Sequence, residues 1–164
     1  MSHIRKQTAK DLQAEGKSLI EHPAFAVIDL LLNEYKRPGK AAGGGFYEYP
    51  AAGQKHLWTE LKSRFEKPDG QISPKDVRDR LLFVQAIETV RCLEEGVLTS
   101  TADANVGSIF GIGFAAWTGG ALQFINQYGV QDFVARAQYL AAQYGERFNP
   151  PALLLEKAAK GEAF

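Results

Sequence analysis

The chain has 164 residues, with 19 basic and 19 acidic side chains and a formal net charge of zero. Apolar residues make up 45% and charged residues 23%, a balance that excludes a chain disordered throughout. The neutral charge gives no electrostatic basis for binding nucleic acid. A single cysteine, Cys92, excludes an internal disulfide, and no apolar run reaches the roughly 20 residues that span a bilayer. We expect a soluble, cytoplasmic protein.

The first part of the chain predicts two helices and a glycine-rich turn. The segment TAKDLQAEGKSLIEH (8–22) carries few large apolar residues, which predicts a short, exposed helix. A broad apolar face over 23–35 predicts a buried helix, which the Pro-Gly pair at 38–39 ends. The glycines at 43–45 then predict a sharp turn with positive φ or a close backbone approach.

Residues 51–72 are polar and rich in turn-forming residues. Their large apolar residues, at helical spacing, are Leu57, Trp58, Leu61 and Phe65. We predict a linker that contains one short helix.

Residues 73–164 have the pattern of a helical unit. Ser73 is predicted to cap a long helix to about Glu95, and Ser100 with Asp103 resembles a capping box for a helix toward Phe110. Further helices are predicted over 120–128, 132–144 and 150–160, the last capped by Asn149. Since no stretch alternates cleanly as a strand does, the predicted fold class is all-α.

Two segments of the chain echo each other. PAFAVIDLLLNEYKRPGK, from residue 23, and PPALLLEKAAKGEAF, from residue 150, both begin with proline and carry one apolar helix. Both also end in a basic stop that contains glycine. The echo predicts that residues 1–50 are the tail of one helical unit and that residues 73–164 are a complete second copy.

Residues that carry catalytic chemistry are sparse. Four side chains could ligate a metal in principle, but they lack ligand spacing: Cys92, His3, His22 and His56. The glycines at 43–45 lack the strand and the GK[ST] ending of a phosphate loop. The string GSIFGIG (107–113) follows a predicted helix, which favours helix packing and a turn over dinucleotide binding. We predict no catalytic residue and no metal site.

The turn GIGF (111–114) has two expected consequences. At least one of Gly111 and Gly113 should have a positive φ or should contact a neighbouring helix, because glycine tolerates both. Phe110 and Phe114 should be mostly buried in the core of the second unit, since aromatic residues at helical spacing usually pack inward.

Three strings resemble the C-terminal helical domain of L-3-hydroxyacyl-CoA dehydrogenases: GGGFYEY (43–49), ETVRCLEEGVLTSTADANVGSIFGIGF (88–114) and TGGALQFINQYG (118–129). The order resembles the end of the multifunctional fatty-acid oxidation members, which carry this domain twice. Their first copy closes with a basic, glycine-rich stretch like 40–49, and their second ends in a PP-x-L-L helix like 150–164. The resemblance implies a helical bundle of the 6-phosphogluconate dehydrogenase C-terminal-like type, with one complete copy and the tail of a preceding one.

The resemblance also implies a function in fatty-acid β-oxidation. The family oxidises the 3-hydroxyl of an acyl-CoA with NAD, and its NAD-binding domain and catalytic His–Glu pair precede the helical domains. This chain has neither motif, so the resemblance implies a region that is inactive alone and holds no cofactor itself. Such a region helps enclose acyl-CoA and packs against the NAD-binding domain, the other copy or a partner subunit, with a homodimer as one form.

The resemblance also implies roles for individual residues. Phe110 stands where many relatives have a tyrosine near the acyl-CoA. Lys40, or Ala41 if the alignment shifts by one residue, stands where the family has a basic residue near NAD. Where the first copy offers an asparagine to substrate, the second copy here has Asp79 or no counterpart. The alanines at 115–116 replace two prolines, which loosens that loop by about 1 kcal/mol of backbone entropy.

Two other functions remain open on the sequence. One is a free-standing helical module that binds a protein partner through its aromatic and leucine-rich face. The other is a stand-alone acyl-CoA binder, which calorimetry with a long-chain acyl-CoA would test. An exposed apolar patch larger than a few hundred Å² would favour a piece of a larger enzyme.

Overall fold

A computed structural model describes residues 2–164, with side chains from His3 onward. Helices of all kinds account for 66% of the chain, which confirms the all-α prediction. The chain forms two compact units, one that extends to Gln71 and one that spans Ile72–Phe164. The particular type of helical bundle stays a prediction.

The first unit combines three helices with one small hairpin. Its elements are α1 (Ser2–Ala14), α2 (Pro23–Asp29), a π-helical turn (Leu30–Glu34), β1 (Tyr47–Glu48), β2 (His56–Leu57) and α3 (Glu60–Phe65). The predicted helix over 23–35 is confirmed, with its last turn widened to π geometry. The predicted helix over 8–22 is wrong in position, because α1 begins earlier and the chain turns at Gly16, where φ is 71°.

The hairpin of the first unit was not predicted from the sequence. β1 and β2 pair antiparallel, with Tyr47 opposite Leu57 and Glu48 opposite His56. Strands of two residues are too short to show the alternation that reveals a strand. The short helix predicted between 51 and 72 is α3, which begins only at Glu60 because the hairpin takes up Leu57.

The second unit contains five helices among its described residues: α4 (Pro74–Glu94), α5 (Thr101–Ile112), α6 (Ala121–Tyr128), α7 (Val130–Tyr144) and α8 (Ala152–Lys160). The hydroxyl of Ser73 accepts a hydrogen bond from the backbone N–H of Asp76, and Ser100 does the same for Asp103. Both predicted N-caps are therefore confirmed.

The predicted cap at Asn149 is wrong. A 3-10 turn at Glu146–Phe148 is followed by extended backbone, and Pro151 has a φ of −70° and a ψ of 165°. This extended proline holds the chain out of helical geometry, so α8 begins at Ala152 without a side-chain cap.

An aromatic cluster lies at the centre of the second unit. Phe83 of α4 stacks on Phe133 of α7, with ring centroids 4.0 Å apart and planes 1° from parallel. Phe124 and Tyr128 of α6 meet this pair edge-on. Fully buried aliphatic residues surround the rings: Ile87, Val90, Leu122, Ile125, Leu140 and Leu154. Burial of this apolar surface, at about 25 cal/mol per Å², is the main stabilising contribution to the unit.

Candidate functional site

Lys40 lies on an exposed loop of the first unit. It opens a 3-10 turn (Lys40–Ala42) that lies between Gly39, with a φ of 138°, and Gly43, with a φ of 87°. The Lys40 ammonium lies 5.9 Å from the centroid of the Tyr49 ring. Ala41, the alternative position, is also exposed. The loop presents a cation beside an aromatic ring, and the role of either residue toward NAD stays a prediction.

The glycines at 43–45 form the predicted turn and close approach. Gly43 has a positive φ, and the backbone of Gly39 exchanges hydrogen bonds with that of Gly44. A Cβ at Gly45 would lie 3.1 Å from the Cα of Gly39, and a Cβ at Gly44 would lie 2.8 Å from the Arg37 guanidinium. Both parts of the prediction are confirmed, because side chains would push the loop apart.

Arg37 holds this loop in place. Its Nε donates to the carbonyl of Gly45 at 2.8 Å, and its guanidinium pairs with Glu48 at 3.1 Å. The same guanidinium lies 4.6 Å from the centroid of the buried Trp58 ring. Sequence reasoning missed this role, because a basic residue beside a Pro-Gly stop reads only as the polar end of a helix.

A cavity of about 610 Å³ opens beside this loop within the first unit. Its apolar walls come from α2, the π-helical turn and the hairpin: Ile28, Leu31, Leu32, Pro38, Phe46 and Tyr49. Its nitrogen-bearing side chains are His3 and Lys6 of α1 together with Arg37. No acidic side chain is found among the described residues that line it.

Phe110 is 85% exposed, so the prediction that it is buried is wrong. The buried face of α5 carries Ala104 and Ser108, which are four residues apart. Phe110 comes two residues after Ser108 and therefore lies on the opposite side of the helix. Its aromatic side chain faces solvent.

The turn after α5 confirms the predictions of a positive φ in GIGF and of a buried Phe114. Gly113 has a φ of 71°, and Phe114 is only 3% exposed. The packing predicted for the 107–113 string is wrong for Gly107 and Gly111, because a Cβ at either would meet nothing within 4 Å. That face of α5 is open.

Exposed apolar side chains surround this turn. Phe110 is joined by Val106 (57% exposed), Ile112 (60%) and Trp117 (77%). We call these four residues the α5 apolar surface. Beside it, a groove of about 510 Å³ runs between α4 and α5 with Val84, Val97, Leu98 and Ile112 among its lining residues. These exposed fractions put several large apolar side chains of α5 and the turn after it in contact with solvent.

Side chains of α5 supply the N-terminal cap of α6. The carboxamide oxygen of Asn105 accepts hydrogen bonds from the backbone N–H groups of Leu122 and Gln123, each at 3.0 Å. The hydroxyl of Ser108 accepts from Ala121 at 3.0 Å. These bonds satisfy three of the N–H groups that a helix start leaves unpaired. They also fix the position of the turn that carries Trp117.

Gly120 makes this capping possible. Its φ is 116°, and a Cβ there would lie 2.5 Å from the Cα of Asn105. A residue with a side chain would therefore force α5 and α6 apart and would strain the backbone.

An ionic network joins α4 to α7. The Arg136 guanidinium bonds to both Asp76 and Asp79, and Lys75 Nζ donates to Asp79 at 2.5 Å. The Tyr144 hydroxyl donates to Asp76 at 2.7 Å. Asp79, the position that stands for the family's substrate asparagine, is 2% exposed and is engaged by these cations. Its carboxylate links α4 to Arg136 of α7.

The hydrogen bonds of this network shift the pKa values of three of its side chains. The hydrogen bond from Tyr144, followed by the one from Arg136, lowers the pKa of Asp76 below its ordinary value. The same bond to Asp76 raises the pKa of Tyr144. A hydrogen bond to Asp79 raises the pKa of Lys75. These shifts favour the charged carboxylate of Asp76 and the protonated forms of its neighbours.

Other features of the described residues bear on the function. Over residues 2–164, no group of three or more His, Cys, Asp or Glu side chains is placed to hold a metal ion. In the same part of the chain, each helix is too short or too polar to cross a bilayer.

The fold and surfaces define an all-α unit with an exposed apolar face, preceded by a smaller helical unit. No protein-family model matches the chain. The chain is 35% identical over 138 residues to the fatty acid oxidation complex subunit alpha of Vibrio vulnificus strain CMCP6. It is also 35% identical over 141 residues to the subunit of the same name in Vibrio parahaemolyticus serotype O3:K6.

The two matches cover 84% of this chain but only 19% and 20% of the relatives, so the chain spans about one fifth of their length. The chain is thus related to one segment of the fatty acid oxidation complex alpha subunits. This relationship confirms the resemblance found in the sequence.

Proposed function

We propose that this chain is the C-terminal helical part of an NAD-dependent 3-hydroxyacyl-CoA dehydrogenase of fatty-acid β-oxidation. It helps enclose the acyl-CoA and packs against another domain of the enzyme or against a partner subunit. The NAD-binding domain and the catalytic His–Glu pair are supplied from outside this sequence, so the chain alone has no dehydrogenase activity. The relationship to fatty acid oxidation complex alpha subunits over one fifth of their length supports this proposal.

The α5 apolar surface is the observation that carries the packing role. Phe110 and Trp117 are both more than three-quarters exposed, at 85% and 77%. Large aromatic side chains in contact with water mark surfaces that a protein or ligand covers. Burial of one such ring contributes about 1.5–3 kcal/mol, which is enough to select a docked arrangement.

Phe110 has a second role in this proposal. On the open side of α5 it can contact an acyl-CoA held between this unit and the NAD-binding domain. A phenylalanine there contributes an apolar contact and lacks the hydroxyl of the family's tyrosine. Phe110 is therefore proposed as a substrate-contacting residue, and Lys40, or Ala41, as the residue near NAD.

The domain organisation is part of the same proposal. Residues 1–50 are the tail of a first helical copy, and 73–164 are the second copy. Residues 51–72 link the two and pack with the first copy's tail through the β1–β2 pair and Trp58. The sequence similarity of the segments that begin at residues 23 and 150 supports this division, since both begin with proline, carry one apolar helix and end in a basic stretch that contains glycine. A free-standing protein-interaction module is the alternative that the same exposed surface would serve.

A segment exchange tests the function directly. This chain replaces the matched segment of the Vibrio vulnificus alpha subunit, and NADH formation from a 3-hydroxyacyl-CoA is measured. The chimera should be active, and the purified chain alone should form no NADH. Turnover by the chain alone, or an inactive but correctly folded chimera, would contradict the proposal.

Variants of the chimera separate its two roles. Phe110→Ala should raise KM for the acyl-CoA. Trp117→Ser should weaken the packing of this segment against the other domain or partner subunit, without a change in KM. Ile20→Ser, at a residue that is 86% exposed in the first unit, is the matched control and should change neither. An unchanged KM for Phe110→Ala would remove only the substrate contact from the proposal.

A further inference from the structure

We propose that Asn126 and Lys157 form a recognition site for a short protein segment of the pattern Glu-x-Phe, which residues 161–164 of this chain occupy from within. We call residues 161–164 the strap, and the two side chains that hold it the seat. The strap acts as a built-in competitor, so a protein partner that carries such a segment binds when the strap leaves the seat. The seat lies on α6 and α8 and shares no residue with the α5 apolar surface, on which the function proposed above rests.

Helix α8 is already capped before the strap meets the seat. Gly161 has a φ of 69°, and its N–H bonds to the carbonyl of Ala158 at 3.3 Å. The N–H of Glu162 bonds to the carbonyl of Lys157 at 2.9 Å. These two bonds satisfy carbonyls that a helix end leaves unpaired. Residues 163–164 lie beyond this stop and have neither helical nor strand structure, so the bonds that hold them are not needed to end the helix.

The seat binds the backbone of the strap through side chains. Oδ1 of Asn126 accepts a hydrogen bond from the N–H of Phe164 at 2.9 Å, and Nδ2 of Asn126 donates to the carbonyl of Phe164 at 3.2 Å. Nζ of Lys157 donates to the carbonyl of Ala163 at 2.8 Å. Hydrogen bonds to the main chain give peptide-binding sites their affinity, and a carboxamide can pair both backbone groups of one residue. The seat therefore has the chemistry of a peptide site.

The side chains of the strap define its specificity. Phe164 is half-buried and packs against the hydrophobic core of the second unit. Nζ of Lys157 lies 5.2 Å from the centroid of the Phe164 ring and 3.9 Å from the carboxylate of Glu162. Ala163, between them, is exposed. One ammonium thus contacts an acidic side chain and an aromatic ring two residues later, which selects the pattern Glu-x-Phe.

The strap is accessible to exchange with a partner segment. A cavity of about 420 Å³ lies beside it, lined by Asn126, by residues 129–132 at the start of α7 and by strap residues 161–163. Those three strap residues are exposed, and segments with few buried contacts open locally at lower cost than the whole unit. A tethered segment competes at an effective concentration of about 1 mM or more. A free segment therefore binds well only when the strap is released.

Nuclear magnetic resonance on the full chain tests the proposal with the blocked peptide acetyl-Lys-Gly-Glu-Ala-Phe-amide as the probe. The chain carries Phe164→Ala, which removes the competing ring, and the side-chain amide signals of Asn126 report binding. Those signals should shift saturably, with one peptide per chain. In the unsubstituted chain the strap competes, so the peptide should bind about tenfold more weakly.

Two altered peptides test the pattern Glu-x-Phe. A peptide with alanine in place of phenylalanine should bind the Phe164→Ala chain about tenfold more weakly, because it has no ring to bury. A peptide with glutamine in place of glutamate should bind about threefold more weakly, as expected for a partly exposed ion pair. Adding Lys157→Met to the chain keeps the alkyl part of the side chain and should remove this second preference.

Variants of the seat locate the binding. Asn126→Ala, added to Phe164→Ala, should weaken the peptide about tenfold, since a donor and an acceptor are both lost. Gln143→Ala removes an exposed carboxamide of α7 and is the matched control, with a change of less than about twofold. Circular dichroism shows that the helices are retained. In the otherwise unsubstituted chain, Asn126→Ala should speed hydrogen exchange of the Phe164 N–H about tenfold while α8 stays protected.

Several results would overturn the proposal. These are no saturable shift in the Phe164→Ala chain, loss of either peptide preference, and unchanged affinity after Asn126→Ala. Exchange of the Phe164 N–H only through global unfolding would also overturn it, since the strap would then never leave the seat. A chain that is dimeric by light scattering and becomes monomeric on Phe164→Ala would do the same, because the strap would then fill the seat of a second copy. Each of these results leaves the segment-exchange experiment unaffected.

Discussion

The two units are stabilised by different kinds of contact. In the second unit, helices α4 to α8 close around the stacked rings of Phe83 and Phe133 and the fully buried residues that surround them. In the first unit, the buried apolar residues among those described are Leu31 and Trp58. There, guanidinium groups lie on aromatic rings instead, with Arg37 4.6 Å from the Trp58 ring and Arg64 4.5 Å from the Tyr35 ring.

This difference indicates which unit is self-sufficient. A core that excludes water from several helices at once makes unfolding cooperative. Cation–π contacts at partly exposed positions contribute about 0.5–1 kcal/mol each and depend on one ring staying in place. The second unit should therefore unfold as a whole, whereas the first should open locally at lower cost.

The largest expected effect is that of Trp58→Ala on the first unit. The ring is 7% exposed and contacts Tyr35, with ring centroids 5.2 Å apart, as well as the two guanidinium groups. Its loss should cost about 3–5 kcal/mol and abolish hydrogen-exchange protection around the hairpin. Protection of α4 and α7 should be retained. Trp117→Ala is the matched control and should change stability by less than about 0.5 kcal/mol. Loss of protection in both units together would contradict the comparison.

Among substitutions that add one methyl group to the second unit, Gly120→Ala should lower its stability the most. The added Cβ would lie 2.5 Å from the Cα of Asn105, at a φ of 116°. We expect a loss of about 3 kcal/mol in urea unfolding, from strain and from the separation of α5 and α6. Gly111→Ala adds the same methyl group on a helix where nothing lies within 4 Å, and it should leave stability unchanged or raise it by up to about 1 kcal/mol. Equal effects of the two variants would argue against the close approach.

Asn105→Ala removes the cap that α5 supplies to α6. Two backbone N–H groups lose their acceptor, so the second unit should lose about 1–2 kcal/mol in the same urea titration. Asn105→Asp keeps an acceptor oxygen at the helix N-terminus and should lose much less. If the aspartate variant were as unstable as the alanine variant, the cap would not be the cause.

The smallest expected effect is the pH dependence that Asp76 contributes. Its pKa in the folded chain is lowered below the ordinary value of an aspartate, chiefly by the hydrogen bond from Tyr144 and then by the one from Arg136. A lowered folded pKa gives stability that is present above the unfolded value and is lost as the pH falls toward the folded one. The melting temperature should therefore fall less steeply below about pH 4 in Asp76→Asn than in the unsubstituted chain. Tyr144→Phe should also flatten this dependence, and an unchanged slope in both variants would exclude the network as its source.

Local sequence signals predicted the helices that have their own caps. Ser73 and Ser100 each accept a hydrogen bond from a backbone N–H three residues later. Four consecutive residues therefore contain the whole capping signal. The cap of α6 was not predicted from the sequence, because its acceptors, Asn105 and Ser108, lie 13 to 18 residues before the N–H groups that they bind. At Asn149 a good capping residue was present, but two following prolines kept the chain extended.

The candidate site shows the same division. The glycines at 43–45 and 113 correctly predicted turns, because few other residues adopt a positive φ. The burial of Phe110 was misjudged, since its aromatic character and helical spacing suit a core position as well as an exposed one. Only the packing of Ala104 and Ser108 against α6 showed that Phe110 faces solvent.

The sequence by itself therefore determined the all-α class, the extent of most helices and the relationship to fatty acid oxidation proteins. Those properties depend on short-range patterns: caps, glycine stops and the spacing of apolar residues along one helix. The tertiary structure alone decided that the Arg37 guanidinium lies over the Trp58 ring and that the carboxylate of Asp79 binds Arg136. Both contacts join residues at least 20 positions apart, and the pattern of one helix carries no information about which side chain of another helix will meet it.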